Sequence, residues 1–384
     1  MRLLSKLCGH DLSWVKTLLR PDKTRGASAD AGGRNQLSLG GAAPNSLMEV
    51  TTVADDLVVI HDGLTVYRYE GLTPSTSYTF KGIDVTTLAR PRGELLSTFA
   101  TVNDVHFGEL ECGKIDDSPK GPIQSSRPGE PPYPETMNRG AVAEITALNP
   151  HQVFVKGDLT CFGSEEEFAA FENCYGQLGE KLHVIRGNHD SYLGQHKYDD
   201  DQWIEMPGIC VALMDTAIPT ETTGDIASGQ LTWLAEHAAS TQLPVLVMGH
   251  HQQWTPGAQA DGHRSEGYFG INPDSSDALN QVVAQHKNII GYTAGHTHRH
   301  RVRQMECGVP TIEIGCVKDF PGTWAEYRVY EGGVMQVVHR ISTPQALDWS
   351  ERCRHLYEEF GIDYETYALG TLNERCFVFP ARAE

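Results

Sequence analysis

Between residues 97 and 318 the chain repeats one pattern: a short apolar run stops at a glycine or polar turn, and the residues at the stop are aspartate, asparagine or histidine. The stops are Asp104-Val105-His106, Gly157-Asp158, Gly187-Asn188-His189-Asp190, Gly249-His250-His251 and Gly295-His296-Thr297-His298. The runs before them, Leu96 to Asn103, Val153 to Lys156, His183 to Arg186, Val245 to Met248 and Ile289 to Thr293, read as buried strands. Helical stretches lie between them: Arg139 to Leu148, a helix opened by the capping box Ser164-Glu165-Glu166-Glu167 and running to about Leu178, Gln230 to Ala239 and Asp277 to Gln285. Cys210 to Met214 is one more strand. Strands alternating with helices predict α/β layers. In an open α/β sheet the carboxyl ends of the strands present ligands together, so the five stops are expected to meet.

The flanks read differently. Residues 1–47 are rich in small and polar residues and are expected to form a flexible leader. Residues 48–96 predict a small β domain, with a hairpin turning at Asp62-Gly63. Within it Gly71 to Phe80 resembles the Leu-Pro-Tyr corner of fibronectin type III modules, and both a truncated β-sandwich and a plain β-meander satisfy it. The segment between Phe107 and Asn138 is a long Pro, Gly, Asp and Ser-rich loop near the candidate site. Residues 97–318 form the main domain. After the last stop, Thr311 to Val317, Ala325 to Tyr330 and Val334 to Ile341 read as antiparallel β and Leu347 to Phe360 as a helix, so that residues 319–384 are expected to add a β-hairpin and helix extension to the main domain. Tyr327, Val329, Val334 and Val337 would then cover the core or pair with a second subunit, leaving a homo-oligomer open.

Composition excludes several classes. No stretch reaches the roughly 18 apolar residues of a membrane span, and Met1 to Arg20 lacks the apolar middle of a secretory signal, so a cytoplasmic location is expected. The 9 cysteines show no paired spacing, which fits reduced thiols. A net charge of −19 disfavours a nucleic acid polymer as partner. It permits a small phosphorylated substrate where bound cations dominate the local field.

The stops carry metal-ligand chemistry. Asp104 and His106 are two apart at the end of a strand and point the same way. Gly157 lets the backbone turn so that Asp158 presents two oxygens, enough to bridge two cations. Asn188 offers a neutral oxygen and His250, His296 and His298 offer imidazole nitrogens, a donor mixture suited to Fe, Mn, Zn, Co or Ni.

The order and chemistry of these motifs resemble the calcineurin-like metallophosphoesterases over roughly residues 97 to 318. That resemblance implies a four-layer α/β/β/α sandwich with two mixed sheets, preceded here by the small N-terminal β domain. It implies a first metal site of Asp104, His106, Asp158 and His298 and a second of Asp158, Asn188, His250 and His296. Two transition metal ions about 3.5 to 4 Å apart would activate a bridging hydroxide for in-line attack on phosphorus. The resemblance places His189 to stabilise the phosphoryl group and protonate the leaving oxygen. Asp190 either orients His189 through its other ring nitrogen or caps the turn. His251 is a candidate either for substrate contact, with Asn188 and His189, or for a contact behind the ligands; Arg186, Arg299 and His300 are close enough in sequence to meet phosphate, and one of Trp254, His263, Tyr268 and Phe269 is placed to stack on a base.

Departures narrow the choice. Protein Ser/Thr phosphatases carry Asp-Arg-Gly after their second motif, whereas here Asp158 runs into Leu159-Thr160-Cys161. Purple acid phosphatases need a ligating tyrosine where this chain has Cys161. The pattern is most similar to the bacterial class III cyclic nucleotide phosphodiesterases, which implies hydrolysis of a 3′,5′-cyclic nucleotide. A broad-specificity phosphodiesterase or phosphomonoesterase is the alternative. A non-catalytic scaffold on the same fold is the alternative of another class, and retention of every ligand and of His189 weighs against it.

Overall fold

The computed structural model describes residues 48–116, 118–255 and 269–380. The leader, His263 and Tyr268 lie outside them. The chain begins with β1 (Met48–Val53), β2 (Leu57–Asp62) and β3 (Thr65–Glu70), a three-stranded antiparallel sheet, and a separate hairpin of β4 (Ser77–Phe80) and β5 (Ile83–Thr86). The Tyr78 hydroxyl accepts a hydrogen bond from the Thr73 amide at 2.9 Å, fixing the corner before the hairpin. There follow β6 (Leu95–Val102), α1 (Tyr133–Leu148), β7 (Gln152–Lys156), α2 (Glu165–Tyr175), β8 (Leu182–Ile185), β9 (Gln202–Met206) and β10 (Ile209–Leu213). Next come α3 (Ser228–Ser240), β11 (Val245–Met248), α4 (Pro273–Gln285), β12 (Ile289–Ala294), β13 (Arg301–Gln304) and β14 (Pro310–Glu313). The chain closes with β15 (Thr323–Tyr330), β16 (Gly333–Arg340), α5 (Pro344–Arg352), α6 (Tyr364–Leu369), α7 (Leu372–Arg375) and β17 (Phe377–Val378).

Two six-stranded mixed sheets stack face to face. One has the order β17-β16-β15-β6-β7-β8, parallel across β6, β7 and β8; the other has the order β13-β14-β12-β11-β10-β9, parallel across β10, β11, β12 and β14. Their central strands are buried on both faces because each sheet is covered twice. Phe99, Phe154 and Ile185 of the first sheet meet Val211, Leu246 and Ile312 of the second. On the outer faces α1 and α2 cover the first sheet, and α3 and α4 cover the second. This is the four-layer α/β/β/α sandwich with two mixed sheets. The small N-terminal sheet packs on β16, and the Thr52 hydroxyl donates to the Val338 carbonyl at 2.7 Å.

Several elements differ from the sequence expectation. Helix α1 starts at Tyr133, because Pro134 is tolerated in a first turn whose amide hydrogens need no partner. The capping box forms, with the Ser164 hydroxyl accepting from the Glu167 amide at 3.3 Å and the Glu167 carboxylate from the Ser164 amide at 3.0 Å. The helix it opens ends at Tyr175, however, and continues as a 3-10 turn to Lys181. Strand β14 runs parallel to β12, not only antiparallel to a neighbour. Strands β15 and β16, expected in a C-terminal extension, sit inside the first sheet with β15 hydrogen-bonded to β6. Tyr327, Val329, Val334 and Val337 are accordingly buried within this chain and offer nothing to a second subunit. The helix expected to Phe360 stops at Arg352. The 8 cysteines among the described residues are free, and among those residues no helix is long and apolar enough to cross a membrane.

Phe99 ties three neighbouring strands of the first sheet on the face that packs against the second: its ring stacks on Tyr327 of β15 with centroids 4.6 Å apart and meets the edge of Phe154 of β7 at 5.6 Å. Phe99→Ala is expected to cost about 3–5 kcal/mol of unfolding free energy, measured by urea denaturation. A cost below about 1 kcal/mol would show that the layers do not depend on this ring.

Candidate active site

All five stops gather at one edge of the two sheets. The backbone ties them before any side chain does: the Val105 and His106 amides both donate to the Asp158 carbonyl at 2.9 Å, the Asp104 amide to the Gly157 carbonyl at 3.1 Å, and the Gly295 amide to the His250 carbonyl at 3.0 Å. Asp104, His106, Asp158, His296 and His298 all adopt left-handed backbone angles, with φ between 49° and 68°. Such angles are uncommon outside glycine and persist only where surroundings enforce them. Here they turn each side chain off the end of its strand toward the shared cleft.

Two glycines make the convergence sterically feasible. A Cβ on Gly187 would lie 2.3 Å from the Asp158 carboxylate oxygen, and one on Gly157 would lie 2.6 Å from His250 Nδ1. With hydrogen in those places, Asp158 fits between the strands. Its Oδ1 lies 3.3 Å from His250 Nε2, and its Oδ2 lies 3.5 Å from His106 Nε2 and 4.0 Å from His189 Nε2. Asp104 Oδ1 is 3.7 Å from His298 Nε2 and accepts the His296 amide at 2.9 Å. His250 Nε2 is 3.0 Å from Asn188 Oδ1 and 3.2 Å from His296 Nδ1.

This donor set fits cations. Asp104, His106 and His298 bring ligand atoms within 4.8 Å of one another, as do Asp104, Asp158 and His250. Both ring nitrogens of His106 are buried without a hydrogen-bond partner, a costly state unless a further group occupies the space between them and the carboxylates. The electrostatics agree. Burial lowers the basicity of His250, yet the Asp158 carboxylate, helped by Asp104, outweighs it and raises the imidazole to about 9, so a proton holds the place of positive charge.

The imidazoles are aimed from behind. His250 Nδ1 contacts the Lys156 carbonyl at 2.9 Å, His296 Nε2 the Phe269 carbonyl at 2.8 Å and His189 Nδ1 the Cys161 carbonyl at 2.9 Å. Asn188 donates its amide hydrogen to the Tyr192 hydroxyl at 2.6 Å, which leaves its oxygen facing His250.

Some predicted residues act otherwise. Asp190 does not reach His189. Its carboxylate accepts from the Leu159, Thr160 and Gly187 amides at 3.0, 2.8 and 2.7 Å and from the Thr160 hydroxyl at 2.6 Å. Neighbours on a 3-10 turn point apart, so Asp190 faces inward to join the second and third stops while His189 faces the cleft. Burial, followed by the nearby Asp158 charge, pushes its carboxyl up to about 7 against the pull of those donors. His251 is fully buried, with Nδ1 2.9 Å from the Thr216 hydroxyl and Nε2 3.2 Å from the Thr222 carbonyl, so it backs His250 and His296 instead of meeting substrate.

Arg186 is buried against Asp215 at 2.8 Å, Arg299 pairs with Glu313 at 2.8 Å, and His300 is buried beside Thr323. None of these three lines the cleft. Trp254 is buried beside Ser276, whereas Phe269 lines the cleft with His296.

The cleft also contains residues the motifs did not announce: Tyr192, Thr222, Lys318 and Tyr357. Lys318 was detectable in principle. It follows the apolar run ending at Val317 and precedes Phe320-Pro321-Gly322, the same signature of a strand stopping at polar residues and a turn.

The chain belongs to the calcineurin-like phosphoesterase family, whose model matches residues 97–300. Over 162 residues it is 23% identical to a probable glycerophosphodiester phosphodiesterase of Arcobacter nitrofigilis, covering 39% of this chain and 57% of that protein. Over 127 residues it is 28% identical to a cAMP/cGMP dual specificity phosphodiesterase of Mycobacterium tuberculosis, covering 29% of this chain and 39% of that one. The matched region thus spans less than two thirds of either relative. A dimetal phosphatase from Danio rerio shares the fold with a TM-score of 0.50 at 14% identity, over 64% of this chain and 97% of that one.

Two expectations follow from this geometry. Asp190→Ala leaves three buried amides without an acceptor and, at about 1–3 kcal/mol for each donor left unmade, lowers the denaturation midpoint markedly; an unchanged midpoint would refute the turn-joining role. A cation that takes His250 Nε2 must displace a proton held up to about pH 9. Apparent manganese affinity in calorimetry is therefore expected to rise as pH increases between about 6 and 8, with proton release, and a flat profile would contradict it.

Proposed function

We propose that this protein hydrolyses a small phosphodiester with the help of two metal ions, and that 3′,5′-cyclic nucleotides are its first substrate class. The observation that carries the reading is the meeting of seven donors, Asp104, His106, Asp158, Asn188, His250, His296 and His298, around Asp158, with His189 on the same cleft. Site one is Asp104, His106, Asp158 and His298; site two is Asp158, Asn188, His250 and His296. Iron, manganese, zinc, cobalt or nickel suits this mixture of nitrogen and oxygen. A bound metal pair supplies a lowered water pKa and neutralises charge on the phosphoryl oxygens.

The chain's own residues do the rest. Asp158 offers one oxygen toward His106 and the other toward His250, and so sits between the two sites. Asn188 contributes an oxygen without charge, keeping the cleft receptive to an anion. His189 has its Nδ1 on the Cys161 carbonyl, so its Nε2 faces Asp158 and, in the imidazolium form, carries the proton a leaving alkoxide takes. Tyr192, Phe269 and Tyr357 give the cleft aromatic surface on which a nucleobase can stack. The name of the Mycobacterium tuberculosis relative agrees with that class. The name of the Arcobacter nitrofigilis relative supports glycerophosphodiesters as a second reading. A net charge of −19 keeps long nucleic acids away from the same chemistry.

Side-by-side rates on 3′,5′-cAMP, cGMP, a glycerophosphodiester and p-nitrophenyl phosphate, with manganese added, decide between these substrates; a monoester preferred by orders of magnitude would overturn the diesterase reading. Asp158→Ala is expected to lose both ions, while His189→Ala keeps them and loses roughly 10²- to 10⁴-fold in kcat. Equal metal loss in the two variants would refute the division of roles. A wild-type chain that holds less than about one ion and hydrolyses nothing would instead be a scaffold.

A further inference from the structure

Behind site one lies a layer of carboxylates that none of the five motifs contains. His106 points Nε2 at Asp158 and Nδ1 at Glu109, whose Oε2 is 3.6 Å away. His298 repeats the arrangement, with Nε2 toward Asp104 and Nδ1 3.6 Å from Asp319 Oδ2. Each separation is a small rotation longer than a hydrogen bond. Site two is built differently, since His250 and His296 are backed by the Lys156 and Phe269 backbone carbonyls.

The two carboxylates are themselves held firmly. Glu109 takes both its oxygens to Lys318 Nζ, at 2.7 and 2.6 Å, and both residues are buried. Asp319, fully buried, accepts from the Tyr364 hydroxyl at 2.7 Å and the Cys316 thiol at 3.0 Å. The Trp349 indole donates to the Lys318 carbonyl at 2.8 Å. Adjacent residues thus serve both imidazoles of one site, Lys318 through Glu109 and Asp319 directly. Their own supports, Trp349 and Tyr364, come from α5 and α6.

We propose that Glu109 and Asp319 are the positioning residues of site one: each accepts the Nδ1 proton of its histidine, so that His106 and His298 both present Nε2 to the cation, and Lys318 is the counter-ion that keeps Glu109 buried in place. A carboxylate behind a ligating imidazole fixes its tautomer and raises its donor strength. The inference rests on the two-metal reading above.

Its test is metal binding without substrate, read by cobalt titration with the visible d–d spectrum and by nitrogen-15 NMR of the histidine tautomers in the zinc-loaded protein. Asp319→Ala is expected to weaken one of two cobalt ions about 10- to 100-fold, to alter its band and to release His298 from the Nδ1–H form, with the second ion unaffected. Asp319→Asn retains an acceptor oxygen without charge and should fall between wild type and Asp319→Ala. Because Glu109→Gln alone would leave Lys318 buried and unpaired, the Glu109→Gln, Lys318→Met double variant probes His106 and should weaken the same ion.

Folded variants that bind two ions with wild-type affinity, spectra and tautomers overturn the inference. Should Asp319→Ala not fold, Asp319→Asn and the double variant decide it by the same readings. A wild-type protein that binds no second cobalt ion defeats the two-metal reading itself, a result distinct from variants that match a two-ion wild type.

Discussion

The Asp158 residue holds the site together twice. Its carbonyl accepts the Val105 and His106 amides, which sets the height of the first stop relative to the second, and its carboxylate lies within reach of His106, His189 and His250. Both functions need a left-handed backbone at a non-glycine residue, flanked by two glycines whose missing Cβ atoms leave room. Packing enforces that geometry, because the parallel strands that deliver Asp158 and His250 are buried on both faces and cannot shift singly.

Much of this was legible in the sequence. For the strands that lead into the five stops, the apolar run ends where the structure ends it, within a residue or two, because those strands are largely buried and the polar turn that follows marks the end; Thr311 to Val317, after the last stop, is the exception, its strand ending at Glu313. The seven donors and His189 come together as their position at strand ends implies. Strands β9 and β13 were not legible: Gln202–Met206 and Arg301–Gln304 are edge strands whose charged residues hide the period. The place of β15 beside β6 escaped for another reason. Nothing local in Ala325 to Tyr330 reports a partner more than two hundred residues earlier.

The residues behind the donors were the hardest to read. For Asp190 the sequence leaves two roles open, orienting His189 or capping the turn; adjacency on a tight turn sends the two side chains in opposite directions, so Asp190 takes the turn amides and a carbonyl from Cys161 orients His189. A backbone carbonyl leaves no trace in residue type. Glu109 and Lys318 meet across a separation of 209 positions, and their pairing appears only once the long loop after His106 has folded against α5 and α6. Residues that carry chemistry announce themselves by type; residues that aim them are chosen by place.

The insertion of β15 and β16 between β6 and β17 has a consequence for how the molecule is made. Strand β6 delivers Asp104 and His106, but one of its two hydrogen-bonding edges stays open until residues near 330 have left the ribosome. Once residue 298 has been made and until residue 330 follows, the nascent chain carries all five candidate metal-binding segments on an incomplete sheet, with one edge of β6 unpaired. Contacts of such long sequence separation close slowly. The cost of this topology is a late-closing edge on the very strand that delivers Asp104 and His106.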